Sequence, residues 1–335
     1  MKKVLMVIVV VCMLLGIMSC DVKTGDAVKE KTESAEWWEN IDVNGKLPLD
    51  SWQSLVVESG TSFYYVAEDG VYHVDKSGGE ARCLIKDSVT GLVLCDNELY
   101  YSTEKNINHI ETTPKECSEI WNVEMASELA DIDFVHVSDF YIYGGALYIK
   151  YMGNRAFCYD LDEKTTKVFP LEFSSLAFSD GKCYHVDHAQ RTFSVYETAL
   201  ASMETTMIQG DGKGYDDPEK LLYDEVQAAN GRIYYRLREK NQIFEYFNGN
   251  TTLVFEFSEE SGWMDIVHSI NHDELCFYTK AGNQYTLYEY DGNGEPVEIL
   301  SLDIGEKTTP EAIVTDSAII LCYKDSGETE FISRR

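Results

Sequence analysis

The chain has 335 residues, with 28 lysines and arginines against 58 aspartates and glutamates, and a formal net charge of −30 at pH 7. A field of that sign opposes nucleic-acid phosphates and anionic lipid headgroups, so we expect no nucleic-acid partner. Solubility on an exposed surface explains the charge. A cationic partner, such as a basic peptide or a divalent ion, is the more specific alternative.

The amino terminus carries the pattern of a secreted protein. Lys2 and Lys3 precede an apolar run, Val4 to Met18, which has the length of a signal-peptide core and falls short of the roughly 20 residues that span a bilayer. The segment Ile17-Met18-Ser19-Cys20 resembles the bacterial lipobox, in which the signal peptide is cut before a cysteine that carries a diacylglycerol. The resemblance implies that residues 1–19 are removed and that Cys20 is lipidated. An ordinary secretory signal with a coincidental cysteine is the alternative.

Residues 20–36 follow as a predicted flexible tether, because DVKTGDAVKEKTESAE offers almost no large apolar side chain to bury. A coil of that length reaches roughly 20 Å. The lipid on Cys20 would therefore hold the folded part, residues 37–335, at the extracytoplasmic face of the cell membrane. Removing residues 1–19 takes away two lysines and no acid, which leaves a net charge of −32.

The folded part contains a repeat of strand patterns. An apolar residue and a tyrosine or its substitute recur after short turns, at intervals between 36 and 50 residues. The seven centres are Tyr64, Tyr100, Tyr148, Tyr184, Tyr234, Phe277 and Ile320. Each centre follows another short apolar strand, and "NGRIYYRLREKNQIFEYFNGNTTLVFEF" shows that further strands come after it.

Units of about 40 residues with four strands predict an all-β fold, a β-propeller of four-stranded antiparallel blades. We predict seven blades, with six as the alternative if the second and third units are divided wrongly. The last unit ends one strand short, so residues 39–50, ENIDVNGKLPLD, are predicted to supply that strand and close the ring. Residues 112–134 are irregular and predict an inserted turn of helix.

The run from Phe63 to Thr103 resembles the propeller domain of unknown function of Gram-positive surface lipoproteins, which is named for its likeness to low-density-lipoprotein-receptor-related proteins. The resemblance covers residues 50–335 and implies a propeller at the cell surface. The receptor signature Tyr-Trp-Thr-Asp is absent, and the nearest match is Tyr-Tyr-Ser-Thr at residues 100–103. Ligand recognition of the receptor type is therefore not implied.

Nine cysteines are present, of which Cys12 lies in the predicted signal peptide and Cys20 would carry lipid. The remaining seven are an odd number, and most lie in apolar strand patterns. They predict small buried hydrophobic residues more than a disulfide scaffold, with one or two bridges left open. These seven are Cys83, Cys95, Cys117, Cys158, Cys183, Cys276 and Cys322.

Four kinds of segment are candidates for binding. The repeated tyrosines could stack on sugars, but their alternation predicts packing between blades. Tyr184 to His188, YHVDH, contains two histidines and an aspartate, but His185 and Asp187 share a strand face that His188 leaves, so no metal site is predicted. Asp211 to Asp217, DGKGYDD, lacks the ligand order of an EF-hand and predicts a solvated loop between units four and five. Asp291 to Gly294, DGNG, predicts a hairpin turn.

No nucleophile elbow, phosphate loop, His-Glu-x-x-His or Cys-x-x-Cys motif is present. We therefore predict a monomeric, lipid-anchored binding module for an envelope protein, peptide or glycan, with no catalytic residues and no cofactor. One alternative is a polysaccharide-acting envelope enzyme with acidic residues in the central funnel, and another is an assembly module without a small ligand. Converging carboxyl groups with raised pKa values would favour the enzyme, and an apolar rim patch would favour protein docking.

Overall fold

The fold is an arrangement of short antiparallel sheets in a computed structural model. The described residues are 55–67, 69–96, 98–112, 115–126, 137–151, 155–187, 192–214, 216–217, 219–258, 262–267, 274–305, 307–323, 326 and 328–334. These residues form seven sheets, and in each sheet the strands lie side by side in chain order.

Sheets 1 to 3 contain twelve strands. Sheet 1 contains β1 (Val56–Glu58), β2 (Ser62–Ala67), β3 (Gly70–Asp75) and β4 (Arg82–Ile85). Sheet 2 contains β5 (Gly91–Cys95), β6 (Glu98–Ser102), β7 (Asn106–Thr112) and β8 (Lys115–Asn122). Sheet 3 contains β9 (Val137–Tyr143), β10 (Ala146–Tyr151), β11 (Arg155–Asp160) and β12 (Thr165–Phe169).

Sheets 4 to 7 contain the remaining described strands. Sheet 4 contains β13 (Phe173–Ser179), β14 (Lys182–Asp187), β15 (Val195–Ala199) and β16 (Thr205–Gln209). Sheet 5 contains β17 (Tyr223–Ala229), β18 (Arg232–Leu237), β19 (Gln242–Phe247) and β20 (Asn250–Glu256), with a 3₁₀ turn at Arg238–Lys240. Sheet 6 contains β21 (Trp263–Val267), β22 (Leu275–Ala281), β23 (Gln284–Tyr290) and β24 (Val297–Asp303). Sheet 7 contains β25 (Glu311–Val314), β26 (Ala318–Tyr323) and β27 (Glu328–Ser333).

The sheets are arranged radially around an axis. First strands of successive sheets contact one another, as β1 with β5, β5 with β9, β13 with β17 and β21 with β25. Fourth strands are the most exposed, as the patterns of β16, β20 and β24 show. The first strand of each sheet is therefore innermost and the fourth is at the rim, which is the arrangement of a β-propeller.

Apolar packing closes the ring. Six core clusters each join successive sheets, from sheets 1 and 2 through to sheets 6 and 7. Ala318, Ile320 and Cys322 of sheet 7 pack in the same cluster as the core of sheet 1. The chain is thus a seven-bladed β-propeller, as predicted, and the six-bladed alternative is wrong.

Hydrogen bonds reinforce the junction between sheets 7 and 1. Ser317 donates its hydroxyl to Glu58 at 2.7 Å and its N–H to the other oxygen of the same carboxylate at 3.3 Å, and Lys76 forms an ion pair with Glu58. Burial would raise the pKa of Glu58, but hydrogen bonds from Lys76, Thr315 and Ser317 lower it. A charged carboxylate therefore stabilises the junction where the two ends of the ring meet.

All seven predicted repeat centres lie in the second strand of their sheets and are at most 9% exposed. A second strand has neighbouring strands on both edges and neighbouring sheets on both faces. The aromatic side chains of a second strand are therefore buried by packing on every side. The packing interpretation of the tyrosines is confirmed. The predicted turn of helix is also present, at residues 124–126.

Sheet 7 has three strands among the described residues, one fewer than every other sheet. The predicted closing segment, residues 39–50, lies outside the described residues, as do the predicted signal peptide, Cys20 and the tether. Those predictions therefore stay predictions.

Candidate functional site

The two faces of the propeller differ in their connections. Every first strand begins at one face, which we call the top face, and ends at the opposite one, the bottom face. The turns from first to second strands lie at the bottom face and contain two or three residues in six of the seven sheets. The two longest intervals between consecutive described strands, from Asn122 to Val137 and from Gln209 to Tyr223, begin and end at the top face.

These two connections flank sheets 3 and 4, and between them β14 ends and β15 begins at the top face. Loops that a rigid scaffold positions are the usual place for binding residues. The top face beside sheets 3 to 5 is therefore the candidate functional face.

The first strands of sheets 3, 4 and 5 begin with the same arrangement of side chains. Two polar residues stand between two buried ones, as Ser138-Asp139 in β9, Ser174-Ser175 in β13 and Asp224-Glu225 in β17. A β-bulge falls at each of these pairs. Because a bulge adds an unpaired residue and turns the strand locally, it directs a polar side chain out of its own sheet.

These polar residues bind the backbone of the next sheet. Lys150 of β10 donates from Nζ to the carbonyl oxygen of Ser174 at 3.0 Å. The hydroxyl of Ser175 accepts the N–H of Val226 at 2.9 Å. The Oε2 atom of Glu225 accepts the N–H of Ile266 at 3.2 Å. These contacts join sheets 3, 4, 5 and 6 near the axis. We define the axial belt by its residues, which are Lys150, Ser174, Ser175, Glu225, Arg236 and Asp265.

Arg236 is the most connected member of the axial belt, and it is 6% exposed. Its Nε and Nη2 atoms donate to the two carboxylate oxygens of Asp224 at 2.7 and 2.6 Å. Its Nη1 atom lies 2.6 Å from Oδ1 of Asp265 and donates to the carbonyl oxygen of Met264. A bidentate contact on one side and a contact with the next sheet on the other hold the guanidinium rigidly.

Glu225 has an unusual backbone and an unusual pKa. Its φ is +48°, in the left-handed region that a non-glycine residue adopts rarely. Burial raises its pKa well above the ordinary glutamate value of 4.5, the hydrogen bond with Asp265 and the charge of Asp265 raise it further, and Arg236 opposes this shift. Glu225 is thus an acid with a raised pKa beside a second carboxyl group near the axis.

Lys150 is the basic residue at the opposite end of the axial belt. Its ammonium lies 5.8 Å from the ring centre of Phe173, in addition to its contact with sheet 4. Burial lowers its pKa, and the nearby Asp139 opposes that shift. The amine is therefore held between apolar and carbonyl groups of the next blade.

Of the segment YHVDH, from which no metal site is predicted, the structure describes residues 184–187. His185 and Asp187 lie in β14 as expected, and His188 is outside the described residues. His185 is buried, contacts the Thr198 hydroxyl through Nε2 at 3.1 Å, and has a pKa of about 4 because burial disfavours its charged form. Over the described part of the chain, no group of three or more histidine, cysteine, aspartate or glutamate residues could hold a metal ion.

The other predicted segments lie where expected. The acidic loop, Asp211 to Asp217, joins sheets 4 and 5, and Asp291 to Gly294 forms the turn between β23 and β24. All seven cysteines of the propeller are described and are free thiols. Cys183, Cys276 and Cys322 are buried as predicted, whereas Cys117, whose neighbours in β8 are charged or polar, is exposed.

Sequence reasoning missed the axial belt and the exposed Trp263, which we describe below. A signal for the belt was present: Val-Ser-Asp-Phe at residues 137–140, Phe-Ser-Ser-Leu at 173–176 and Tyr-Asp-Glu-Val at 223–226. Each has an apolar, polar, polar, apolar order at the start of a first strand. Alignment of the units on these positions would have found it.

Comparison with known proteins supports the fold. No known family matches the chain, and no curated protein matches it either. A chain of the mitotic checkpoint complex is similar to it with a TM-score of 0.60 and 10% identity, over 95% of this chain and 98% of that one. At this level of identity the likeness shows the propeller fold alone.

Two bacterial structures are also similar. The extracellular domain of a putative one-component system from B. thetaiotaomicron matches with a TM-score of 0.56 and 13% identity, over 88% of this chain and 39% of that one. PorZ, a bacterial surface component of the type-IX secretion system of Porphyromonas gingivalis, matches with a TM-score of 0.51 and 11% identity, over 84% and 38%. Similar propellers therefore occur in extracellular and surface proteins. In the described ranges of this chain, no helix has the length and apolar character needed to cross a membrane.

Proposed function

We propose that this chain is a lipid-anchored propeller on the extracytoplasmic face of a bacterial cell membrane, where it binds an envelope protein, peptide or glycan. The observation that carries the proposal is that the longest connections and the axial belt lie at the same face. Closed blades fix those connections in place, and a tether lets the face search near the membrane. The two bacterial structures with similar propellers support an extracellular location.

The proposal groups the chain with the Gram-positive surface lipoproteins whose propellers resemble those of low-density-lipoprotein-receptor-related proteins. Replacement of Cys20 by alanine tests the anchor. We expect the natural chain to incorporate labelled fatty acid and the Cys20→Ala chain to incorporate none and to leave the membrane fraction. Labelling that persists in Cys20→Ala would contradict the lipobox assignment, and Cys117→Ala is the matched control because Cys117 is the exposed thiol of the propeller.

The binding face is tested by charge reversal on full-length tagged protein, followed by capture from the native envelope. The top-face variant carries Asp211→Lys, Asp216→Lys and Glu219→Lys. The bottom-face control carries Asp162→Lys, Glu163→Lys and Glu204→Lys. All six side chains are exposed, so folding is preserved in both. We expect the top-face variant to lose the captured partner and the control to keep it, and the reverse result would contradict the proposed face.

An envelope enzyme acting on polysaccharide is the second candidate. The observation in its favour is that burial and the neighbouring Asp265 raise the pKa of Glu225, because an acid with a raised pKa beside a second carboxyl group can act as a general acid. Incubation of the full chain with polysaccharides tests it. Hydrolysis that Glu225→Gln abolishes would establish the enzyme, and absence of turnover would leave binding as the function of the face.

A further inference from the structure

Trp263 is an exposed aromatic residue beside the axis at the top face. It is the first residue of β21 and is 41% exposed. The Tyr278 ring contacts it edge-on, with centroids 5.4 Å apart and an interplanar angle of 82°. The preceding Gly262 approaches Phe257 so closely that an added Cβ would lie 2.2 Å from the ring. The indole is therefore held in a fixed place with a large part of its surface in solvent.

The aromatic contacts continue from Trp263 to the second and third strands of sheet 6. The Tyr278 and Tyr285 rings are stacked, with centroids 4.9 Å apart, in the cluster that packs sheet 6 against sheet 7. Tyr285 is 0% exposed, and its hydroxyl has no hydrogen-bond partner among the described residues. Buried hydroxyl groups are nearly always hydrogen-bonded, so an unpaired one indicates the place of a bound group or of a water that bridges to it.

Asp265 lies beside these rings. It is two residues after Trp263 in β21 and is paired with Tyr278, so it shares one face of the sheet with both. Burial and then the charges of Tyr323 and Asp265 raise the pKa of Tyr285. The exposed indole, the carboxylate and the Tyr278 ring thus share one face of sheet 6, and the unpaired Tyr285 hydroxyl belongs to the buried ring stacked on Tyr278.

The local charge decides which ligand fits. Arg236 contacts both Asp224 and Asp265, and Lys280 is paired with Trp263 on the same face of the sheet. Even with Glu225 ionised, two positive groups against three carboxylates leave a formal net charge of only −1, which is too small to select a polycation. A carboxylate whose charge is already compensated is instead a hydrogen-bond acceptor for neutral hydroxyl groups.

We propose that Trp263, Tyr278, Tyr285 and Asp265 form a binding site for a neutral sugar ring of a glycan. The apolar face of the sugar stacks on the exposed indole, its hydroxyl groups donate to Asp265, and a bridging water joins one polar group to the buried Tyr285 hydroxyl. The site names the ligand class for the binding function proposed above and rests on it. A basic peptide is the competing ligand.

Calorimetry of the full-length protein with named sugars tests the site. The probes are hexasaccharides of β-1,4-glucose, α-1,4-glucose, β-1,4-N-acetylglucosamine, β-1,4-xylose and β-1,4-mannose, with polylysine as the cationic probe. We expect at least one sugar to bind and polylysine not to compete with it. We expect Trp263→Ala to lower the affinity for that sugar more than tenfold and Trp263→Phe to lower it less.

Tyr285→Phe is the sharpest variant, because it removes a hydroxyl that has no partner within the described protein. Its melting temperature should stay the same or rise, while its affinity for the sugar should fall by about tenfold. Val297→Ala is the control, since Val297 is 63% exposed at the rim of the same sheet and should change neither quantity.

Failure of all five sugars to bind overturns the inference, and so does sugar binding that both Trp263→Ala and Tyr285→Phe leave unchanged. Binding of polylysine that depends on Trp263 also overturns it, in favour of a basic peptide. In each of these cases, capture of an envelope partner by the top face would show that the binding function itself stands. Loss of that capture as well would contradict both the sugar site and the proposed binding function.

Discussion

The top and bottom faces of the propeller are built from the same strands but obey different constraints. At the bottom face, tight turns such as Asp180-Gly181 and Asn230-Gly231 have positive φ at both residues, which matches the twist of the strands they join. At the top face, β8 and β16 end before the two longest intervals between strands, and polar side chains cross from sheet to sheet. The bottom-face turns are constrained by the hairpins that they close, whereas the top-face connections differ in length.

The largest expected difference between the faces concerns two arginines of the same strand, β18. Arg236 lies at the top face between Asp224 and Asp265, and Arg232 lies at the bottom face paired with Glu245 at 2.7 Å. Arg236→Ala should lower the free energy of unfolding by about 3 to 5 kcal/mol, because it leaves carboxylates without their partner near the axis. Arg232→Ala should cost less, about 1 to 3 kcal/mol, because it unpairs one carboxylate, Glu245, which keeps a hydrogen bond from the Tyr234 hydroxyl. Urea unfolding measures both, and equal losses would contradict the central role of Arg236.

The next largest difference in stability is expected between variants of two neighbouring serines in β13. Ser175→Ala should cost about 1 to 3 kcal/mol, because the buried N–H of Val226 loses its acceptor. Ser174→Ala should cost almost nothing, because its hydroxyl finds no hydrogen-bond partner in the part of the chain that the structure describes. Both changes remove one oxygen at the same bulge, so thermal unfolding of the two variants isolates the bond between sheets 4 and 5. A larger loss of stability in Ser174→Ala than in Ser175→Ala would contradict the stabilising role of the hydrogen bond between Ser175 and Val226.

A smaller effect is expected from two glycines, one at each face. Gly231 has φ of +66° in a bottom-face turn, so Gly231→Ala should cost about 1 to 2 kcal/mol from backbone strain alone. Gly214 in the top-face acidic loop lacks a positive φ and has open space around its Cα, so Gly214→Ala should stabilise by about 0.4 to 1 kcal/mol through the unfolded chain. Denaturant midpoints of both variants measure the contrast, and effects of the same sign would refute it.

The smallest effect is a dependence on pH. The folded chain holds the proton of Glu225 more tightly than the unfolded chain, whose glutamate has the ordinary pKa of 4.5. The contribution of this proton to stability is therefore present below pH 4.5 and is lost as the pH rises toward the raised folded value. Glu225→Gln should gain stability relative to the natural chain as the pH rises above 4.5. Urea midpoints from that pH up to about 8 measure this. Glu163→Gln, at an exposed bottom-face turn, should run parallel to the natural chain.

The strands and turns could be predicted because their signals are local. The seven repeat centres, from Tyr64 to Ile320, all lie in second strands, since alternation of apolar residues and the spacing of turns specify each hairpin without reference to its neighbours. The turn at Asp291 to Gly294 follows from its glycines in the same way.

The candidate site could be predicted only in part. Asp224, Glu225 and Arg236 occur in one unit, but Asp265 and the N–H of Ile266 belong to the next, and no spacing rule brings them together. The histidines and the aspartate of YHVDH are residue types that often bind metals. His185, however, is buried, and its pKa of about 4 keeps it neutral. Residue type alone did not distinguish a core histidine from a functional one.

By itself the sequence determined the number of sheets, the strands within each and the shape of the bottom-face turns, because those depend on contacts between residues close along the chain. Only the tertiary structure decided which polar residues bridge neighbouring sheets, which carboxyl group has a raised pKa and which aromatic ring remains in solvent. Those properties depend on burial and on the distance between charges, and both are set when the ring closes and brings sheets 5, 6 and 7 against one another.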